Sequence, residues 1–252
     1  MTRTLFLHGG PGLSAAVERI WFGNTLPVDW WDQPAIPAGT ADPFMFLVLA
    51  AEQHLCSLAH PGTPVNLLAH SFGARLAVEL ARRQPARIAS ITLMAGAIDL
   101  TAVFLTLGKT LATQPHAPDE LPRVLTQASN TPDIQTIRRL IDALLMIPGL
   151  FDPIWGPQSG TLRDRFNTIA AKTLRFDTAT LLAIVEQSVV EDLTPPPVAY
   201  SGPVRLLLGQ HDPLLETSQE TARWQAIFPQ LQLDICDAGH NLHLELPARQ
   251  WL

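Results

Sequence analysis

Ser71 stands in Ala69-His70-Ser71-Phe72-Gly73, between an apolar run over 65–69 and a helical pattern over about 74–83. A serine on so tight a strand-to-helix turn has its hydroxyl thrust out at the carboxyl end of the strand, and the turn closes only if the residues two before and two after are small. Ala69 and Gly73 meet that demand, although Ala69 replaces the first glycine of Gly-x-Ser-x-Gly. A serine N-cap on an ordinary helix would account for the residue type as well. What separates the two readings is whether a base and an acid are supplied elsewhere. A hydroxyl is a poor nucleophile until an imidazole takes its proton and a carboxylate holds that imidazole in the right tautomer.

Downstream, Asp212 follows a strand-like run over 204–208 and His240 follows another over 231–236. Taken singly, Asp212 is a turn residue before Pro213 and His240 a loop histidine after Gly239. Taken together with Ser71, each lies in a loop expected at the same carboxyl edge of one sheet. A fourth element is His8-Gly9-Gly10-Pro11-Gly12. Acyl transfer builds negative charge on a carbonyl oxygen, and fixed backbone N–H groups stabilise it; Gly10 and Phe72 are the candidate donors. A flexible turn without a ligand is the plainer account of the glycines, but Pro11 restricts the residue before it.

His243 competes with His240 for the role of base, and Asp99 with Asp212 for that of acid. The group His211, His240, His243 and Asp237 lacks His-Glu-x-x-His or similar ligand spacing, so neither a metal nor a cofactor is expected. Phe151 and Trp155 are candidates for the wall of a substrate pocket, because 144–155 is rich in Leu, Ile and Phe, and so are His70, at a variable position of the Ser71 turn, and Trp21, an aromatic suited to a core or a pocket wall. Packing would explain His70, Asp32, Trp21, Phe22, Trp30 and Trp31 equally well.

The elements that must position these residues are legible in the apolar pattern. Residues 4–7 read as a buried strand stopped by the glycine-rich loop, 28–32 as a second strand, and 44–58 as a helix ended by Pro61, Gly62 and Pro64. Strands over 65–69 and 88–95 flank the helix over 74–83, which Pro85 closes. This alternation is the pattern of a parallel sheet covered on both faces. From Asp99 the rhythm turns helical for about a hundred residues. One helix is expected from Thr131-Pro132-Asp133 to about Met146, with a capping residue, a first-turn proline and an acid at the positive dipole end. Others fit 159–172 and 177–192. Pro195, Pro196 and Pro197 make a stiff spacer leading back to the sheet, the alternative being a proline-rich ligand. Strand, helix and strand follow at 204–208, 216–228 and 231–236, with room for a short terminal helix.

With 252 residues, 47% hydrophobic and 16% charged, the chain can bury the core of one domain, or of one domain and an insertion. Lys and Arg total 17 against 23 Asp and Glu, a net charge of -6, and no basic run is present to neutralise phosphates, so nucleic acid is not an expected partner. The opening apolar run is too short for a secretory signal, and Pro148 and Gly149 interrupt the apolar stretch over 144–151, so a cytoplasmic protein without a membrane span is expected. Cys56 and Cys236, far apart and without Cys-x-x-Cys spacing, are expected reduced and buried.

These motifs together resemble the α/β-hydrolase fold, in the subgroup of serine hydrolases that carry His-Gly-Gly-Pro-Gly near the amino terminus and include esterases and proline iminopeptidases. The likeness covers about 3–98 and 200–247, through HGGPG, AHSFG, the Asp212 loop and Gly239-His240-Asn241-Leu242-His243-Leu244-Glu245. It implies a mostly parallel sheet flanked by helices, with a core of 1–98 and 200–252 and a helical cap of 99–199 inserted after the family's sixth strand. The family's leading hairpin is missing and its last helix curtailed. Ser71 would be the nucleophile, Asp212 the acid, His240 the base, and Gly10 and Phe72 the oxyanion donors. The expected activity is cleavage of a small, apolar carboxylic ester through an acyl-enzyme. An aminopeptidase of the proline iminopeptidase type would need cap carboxylates to hold an ammonium, for which Glu186, Glu191 and Asp192 are available. A carbon–carbon bond hydrolase or lyase stays open on the same triad, as does a non-catalytic small-molecule receptor or scaffold that kept the pocket.

Overall fold

A computed structural model describes residues 3–60, 62–191 and 193–252. Six strands, β1 (Thr4–Leu7), β2 (Val28–Trp31), β3 (Val65–His70), β4 (Ile88–Met94), β5 (Val204–Gly209) and β6 (Gln232–Cys236), lie in the order β2-β1-β3-β4-β5-β6. Every pairing is parallel. β1 is buried at all its positions and β3 and β5 at all but one, as parallel strands covered on both faces must be. Leu7 pairs with Ala69 and Ala69 with Leu93, so β1, β3 and β4 end level with one another. At the other side of the sheet Gly209 pairs with Cys236. The loops that follow β1, β3, β5 and β6 therefore emerge along one edge, which brings together residues more than two hundred positions apart in the chain.

The helices that cover the sheet follow from capping and apolar spacing. α1 (Ala16–Phe22) occupies part of the connection after the glycine-rich loop, where the sequence suggests only a loop. α2 (Pro43–Leu58) starts at Asp42, whose side chain accepts from the Met45 N–H, and buries Phe44, Leu47, Val48, Ala51 and Leu55 on one face. α3 (Gly73–Arg83) is buried from Gly73 to Ala81 and lies directly behind the Ser71 turn. A Cβ at Gly73 would stand 2.2 Å from the Leu7 carbonyl oxygen, so the glycine is required by close backbone approach.

Between β4 and β5 the described residues form α4 (Leu100–Ala112), α5 (Leu121–Asn130), α6 (Ile134–Leu145), α7 (Gly160–Thr173) and α8 (Thr178–Val190). Thr131 does not cap α6; it closes α5. Asp133 is the cap, its carboxylate accepting from the Thr136 N–H while the Thr136 hydroxyl accepts from the Asp133 N–H, and this reciprocal pair leaves Pro132 outside the helix. α9 (Thr217–Ile227) and the short α10 (Leu242–Glu245) complete the core. Cys56 and Cys236 are free thiols, half-buried rather than fully enclosed. Pro61 lies outside the described residues. Among the described residues no helix is long and apolar enough to cross a membrane.

Candidate active site

The end of β3 turns into α3 through Ser71, whose φ is +51°. A non-glycine residue in the left-handed region is strained, and the strain persists only where the surroundings over-determine it. Here they do: the Ser71 N–H donates to the Met94 carbonyl at 2.9 Å, the Ser71 carbonyl accepts from Ala74 and Ala97, and the helix behind it is packed into the core. The loop after β1 lies against this turn. A Cβ on Gly9 would meet His70 Nδ1 at 2.7 Å and Ser71 Cβ at 3.0 Å. Gly10 follows with φ +58°. Among the described residues, neither the Gly10 nor the Phe72 N–H has a hydrogen-bond acceptor, and both residues line the same cavity as Ser71. Two backbone donors without acceptors thus belong to residues that border the cavity beside Ser71.

His240, in the loop after β6, is buried, and its Nδ1–H donates to Asp212 Oδ2 at 2.7 Å. The Asp212 side chain is 2% exposed and its other oxygen accepts from the Leu214 N–H, so the carboxylate is fully partnered. The His240 backbone is held at both ends: its N–H donates to the Ile154 carbonyl at 2.7 Å, and its carbonyl accepts from His70 Nε2 at 2.9 Å. Among the described residues no hydrogen bond joins the Ser71 hydroxyl to His240, although both residues line one cavity. Such bonds commonly tighten only when substrate is bound.

Burial, reinforced by the imidazoles of His243 and His240, holds His70 well below the ordinary histidine range, so it is a neutral donor at neutral pH. Burial also lowers His8, against the opposing pull of its bond to the Gly9 carbonyl. His8 Nδ1–H donates to that carbonyl and Nε2 accepts from the Gln33 N–H, which fixes its tautomer. The glycine-rich loop therefore rests on a neutral, hydrogen-bonded imidazole.

The cavity has a volume of about 150 Å³. Among the described residues, its wall from the 99–199 region is apolar, including Val103, Phe104, Leu107, Ile141, Leu144, Phe151, Phe166 and Phe176. Leu145, Leu150 and Ile154 join Leu144 and Phe151, so most of the apolar stretch before Trp155 faces the site. His70 and Phe151 line the cavity as expected of pocket residues; Trp21 and Trp155 do not. Trp21 instead carries the Arg165 guanidinium 4.1 Å above its ring, and Trp155 packs behind Phe166 at 5.4 Å. Asp99 is an exposed cap of α4, accepting from the Ala102 N–H. His243 Nε2–H donates to Glu18 Oε1, and His211 pairs with Asp237 at the surface. Asp32 accepts from the Ala15 N–H and pairs with Arg19, tying α1 to β2. Glu186 pairs with Arg138 and Glu191 accepts from Gln187; neither lines the cavity. Asp192 lies outside the described residues.

Two carboxylates of evident importance have no role that the sequence alone assigns. Glu18 lines the cavity. Glu245 gathers the Gly156 N–H at 2.8 Å, the Ser159 hydroxyl at 2.5 Å and the Gly239 N–H at 3.0 Å, and so ties the segment before α7 to the loop that carries His240. Glu245 sits in the segment that carries the family resemblance, and that position is its only signal.

Comparison with known proteins bears on this arrangement. The profile of the family described as alpha/beta hydrolase fold matches residues 5–247. No match was found among curated protein sequences. Among solved structures, the chain is similar to a proline iminopeptidase-related protein from Thermus thermophilus, with 25% identity and a TM-score of 0.68, covering 98% of this chain and 85% of that one. It is also similar in fold to a thermophilic esterase from Thermogutta terrifontis, at 17% identity and TM-score 0.58, with 99% and 86% covered. An epoxide hydrolase from Bacillus megaterium matches at 17% identity and TM-score 0.57, with 99% and 90% covered.

Proposed function

From the membership of this chain in the α/β-hydrolase fold family, shown by the match over 5–247, we propose that it is a serine hydrolase that cleaves a small, apolar carboxylic ester through an acyl-enzyme. The observation that carries the reading is the buried His240–Asp212 pair, 2.7 Å long, on a residue that lines one cavity with Ser71 and with Gly10 and Phe72, whose backbone N–H groups have no acceptor among the described residues. In this mechanism His240 Nε2 takes the Ser71 proton as Oγ attacks the ester carbonyl. Asp212 holds the imidazole in the required tautomer and stabilises its protonated form. The oxyanion lies between the two N–H groups, and collapse expels the alcohol, which receives the proton from His240. Water, deprotonated by His240, then attacks the acyl carbonyl, and the second collapse releases the acid while Ser71 Oγ takes the proton back from His240.

Residues 99–199 act as the cap over a core of 1–98 and 200–252, and its apolar wall supports an apolar acyl or alcohol arm. The same wall weighs against the iminopeptidase reading, despite the similarity to an iminopeptidase-related structure, because among the described residues no cap carboxylate faces the cavity.

A fluorophosphonate probe tests the proposal. Wild type should be labelled, Ser71→Ala should not, and nitrophenyl esters of short apolar acids should be turned over faster than proline anilides. A folded wild type that resists the probe would favour a receptor or scaffold, and faster anilide turnover an aminopeptidase.

A further inference from the structure

His70 is the last residue of β3 and the immediate neighbour of Ser71, yet its side chain bonds to the loop after β6, 170 positions further along the chain. Its Nε2 lies 2.9 Å from the His240 carbonyl oxygen. A carbonyl can only accept, so the proton sits on Nε2 and Nδ1 carries the lone pair. Burial, more than any neighbour, keeps this ring neutral. It therefore supplies a donor without setting a second cation beside the imidazolium that His240 must become. The ring also has little room to move. The His243 ring packs against it with centroids 4.5 Å apart and the His240 ring with centroids 5.0 Å apart. On the Nδ1 side the backbone of Gly9 comes so close that a Cβ there would stand 2.7 Å away.

Among the described residues His240 is held by three hydrogen bonds of its own backbone and ring N–H groups and carbonyl, each to a different part of the fold. Its backbone N–H donates to Ile154, between α6 and α7, and its Nδ1–H donates to Asp212, in the loop after β5. Its carbonyl accepts from His70, and of the three this bond alone leads to the turn that bears Ser71. No direct bond between the Ser71 hydroxyl and His240 does that work among the described residues. Removing the His70 donor would leave the buried carbonyl unpaired unless the loop shifted to find another partner, and a shift carries the imidazole with it. We propose that His70 is a positioning residue for the base: its Nε2–H holds the His240 loop against the Ser71 turn and keeps the imidazole in register with the hydroxyl it deprotonates. The inference deepens the serine-hydrolase reading and rests on it. Because His70 acts through His240, its loss falls on the rate of the chemical steps rather than on substrate affinity, although His70 also borders the cavity.

The test uses the full chain, a nitrophenyl ester and the fluorophosphonate probe, with wild type, His70→Leu, His70→Asn and His70→Gln compared. Leucine removes the donor at similar bulk. The asparagine amide extends only about as far as Nδ1, whereas the glutamine amide reaches the place of Nε2 and restores a neutral donor. A base misplaced by about 1 Å costs up to about a hundredfold. His70→Leu and His70→Asn should accordingly lose about ten- to a hundredfold in kcat with KM little changed, and the probe should label them more slowly by a similar factor. His70→Gln should recover most of that loss. His70→Asn decides the matter if His70→Leu does not fold. A wild-type kcat in a folded variant without the donor overturns the proposal. So does a raised KM at constant kcat, which would make His70 a pocket wall and no more, and so does a His70→Gln as slow as His70→Leu. Failure of the serine-hydrolase reading itself is distinguishable, since wild type would then show neither labelling nor ester turnover.

Discussion

Replacing Glu245 by alanine should weaken both the stability of the molecule and the rate of its chemistry. The carboxylate accepts from three donors, the Gly156 N–H, the Ser159 hydroxyl and the Gly239 N–H, at 2.5 to 3.0 Å. Hydrogen bonds to a charged group are each worth about 1.5–3 kcal/mol when buried. These are part-buried, and water can enter the space left by the side chain, so roughly 1 kcal/mol each, or about 3 kcal/mol together, is the expected loss. For a chain of this size each kcal/mol moves the unfolding midpoint by about 2–4 °C, which gives a drop of roughly 6–12 °C. Gly239 immediately precedes His240, and the His240 N–H donates to the Ile154 carbonyl in the same seam. A base displaced by about 1 Å costs up to a hundredfold in rate, so kcat should fall while KM changes little. Glu245→Gln keeps one acceptor oxygen and should fall between alanine and wild type. Thermal unfolding followed by circular dichroism and ester kinetics on the same preparations measure both effects. A midpoint and a kcat indistinguishable from wild type in Glu245→Ala would refute the argument, because they would mean that water satisfies the donors and that the seam is held without the carboxylate.

Asp212→Asn should fold normally and lose about a thousandfold or more in kcat, since the imidazole loses its charged orienting partner; near-normal ester kinetics would return the role to Asp99. His70→Gln should change the acid side of the stability curve. The folded-state pKa of His70 lies well below its ordinary 6.5, so between those two values the unfolded chain binds a proton that the folded chain does not. The stability that neutral His70 helps to preserve is full above about pH 6.5 and declines as pH falls toward the folded value, by up to about 1.4 kcal/mol per pH unit. Urea unfolding at a series of pH values should therefore give a shallower acid decline for His70→Gln than for wild type. Parallel curves would show that His70 is not the group that titrates.

What can be read in the sequence depends on how far along the chain the physical cause extends. The Ser71 turn and the glycine-rich loop announce themselves because their demands are local: small neighbours at Ala69 and Gly73, and positive φ at Gly10. Asp212 and His240 are legible one step further, because strand ends in a parallel sheet must share an edge, and the observed registers place them there. The helices of 100–130 escape a reading by pattern, although α4 opens at Asp99 with the same kind of acidic cap that marks α6 and α8. Trp21 and Trp155 mislead for a different reason. Size and apolarity mark an aromatic as something to bury but do not say against what, and here a guanidinium and a second aromatic ring cover them.

The least legible residues are those whose meaning lies in a distant partner. Glu18 and His243 are 225 positions apart, and Glu245 and Ser159 are 86 apart. In a sequence each is one more charged or polar residue in or beside a helix, where exposure is the default. The fold reverses that default by placing Glu18 and His243 in contact where α1 and α10 meet beside the sheet edge. Burial of a carboxylate is then tolerable only because an imidazole takes one of its oxygens. The local motifs thus single out the proposed reacting groups, whereas the wall of the cavity beside them, apolar from α4, α6, α7, α8 and the loops between them, is a long-range construction that only the packed molecule displays.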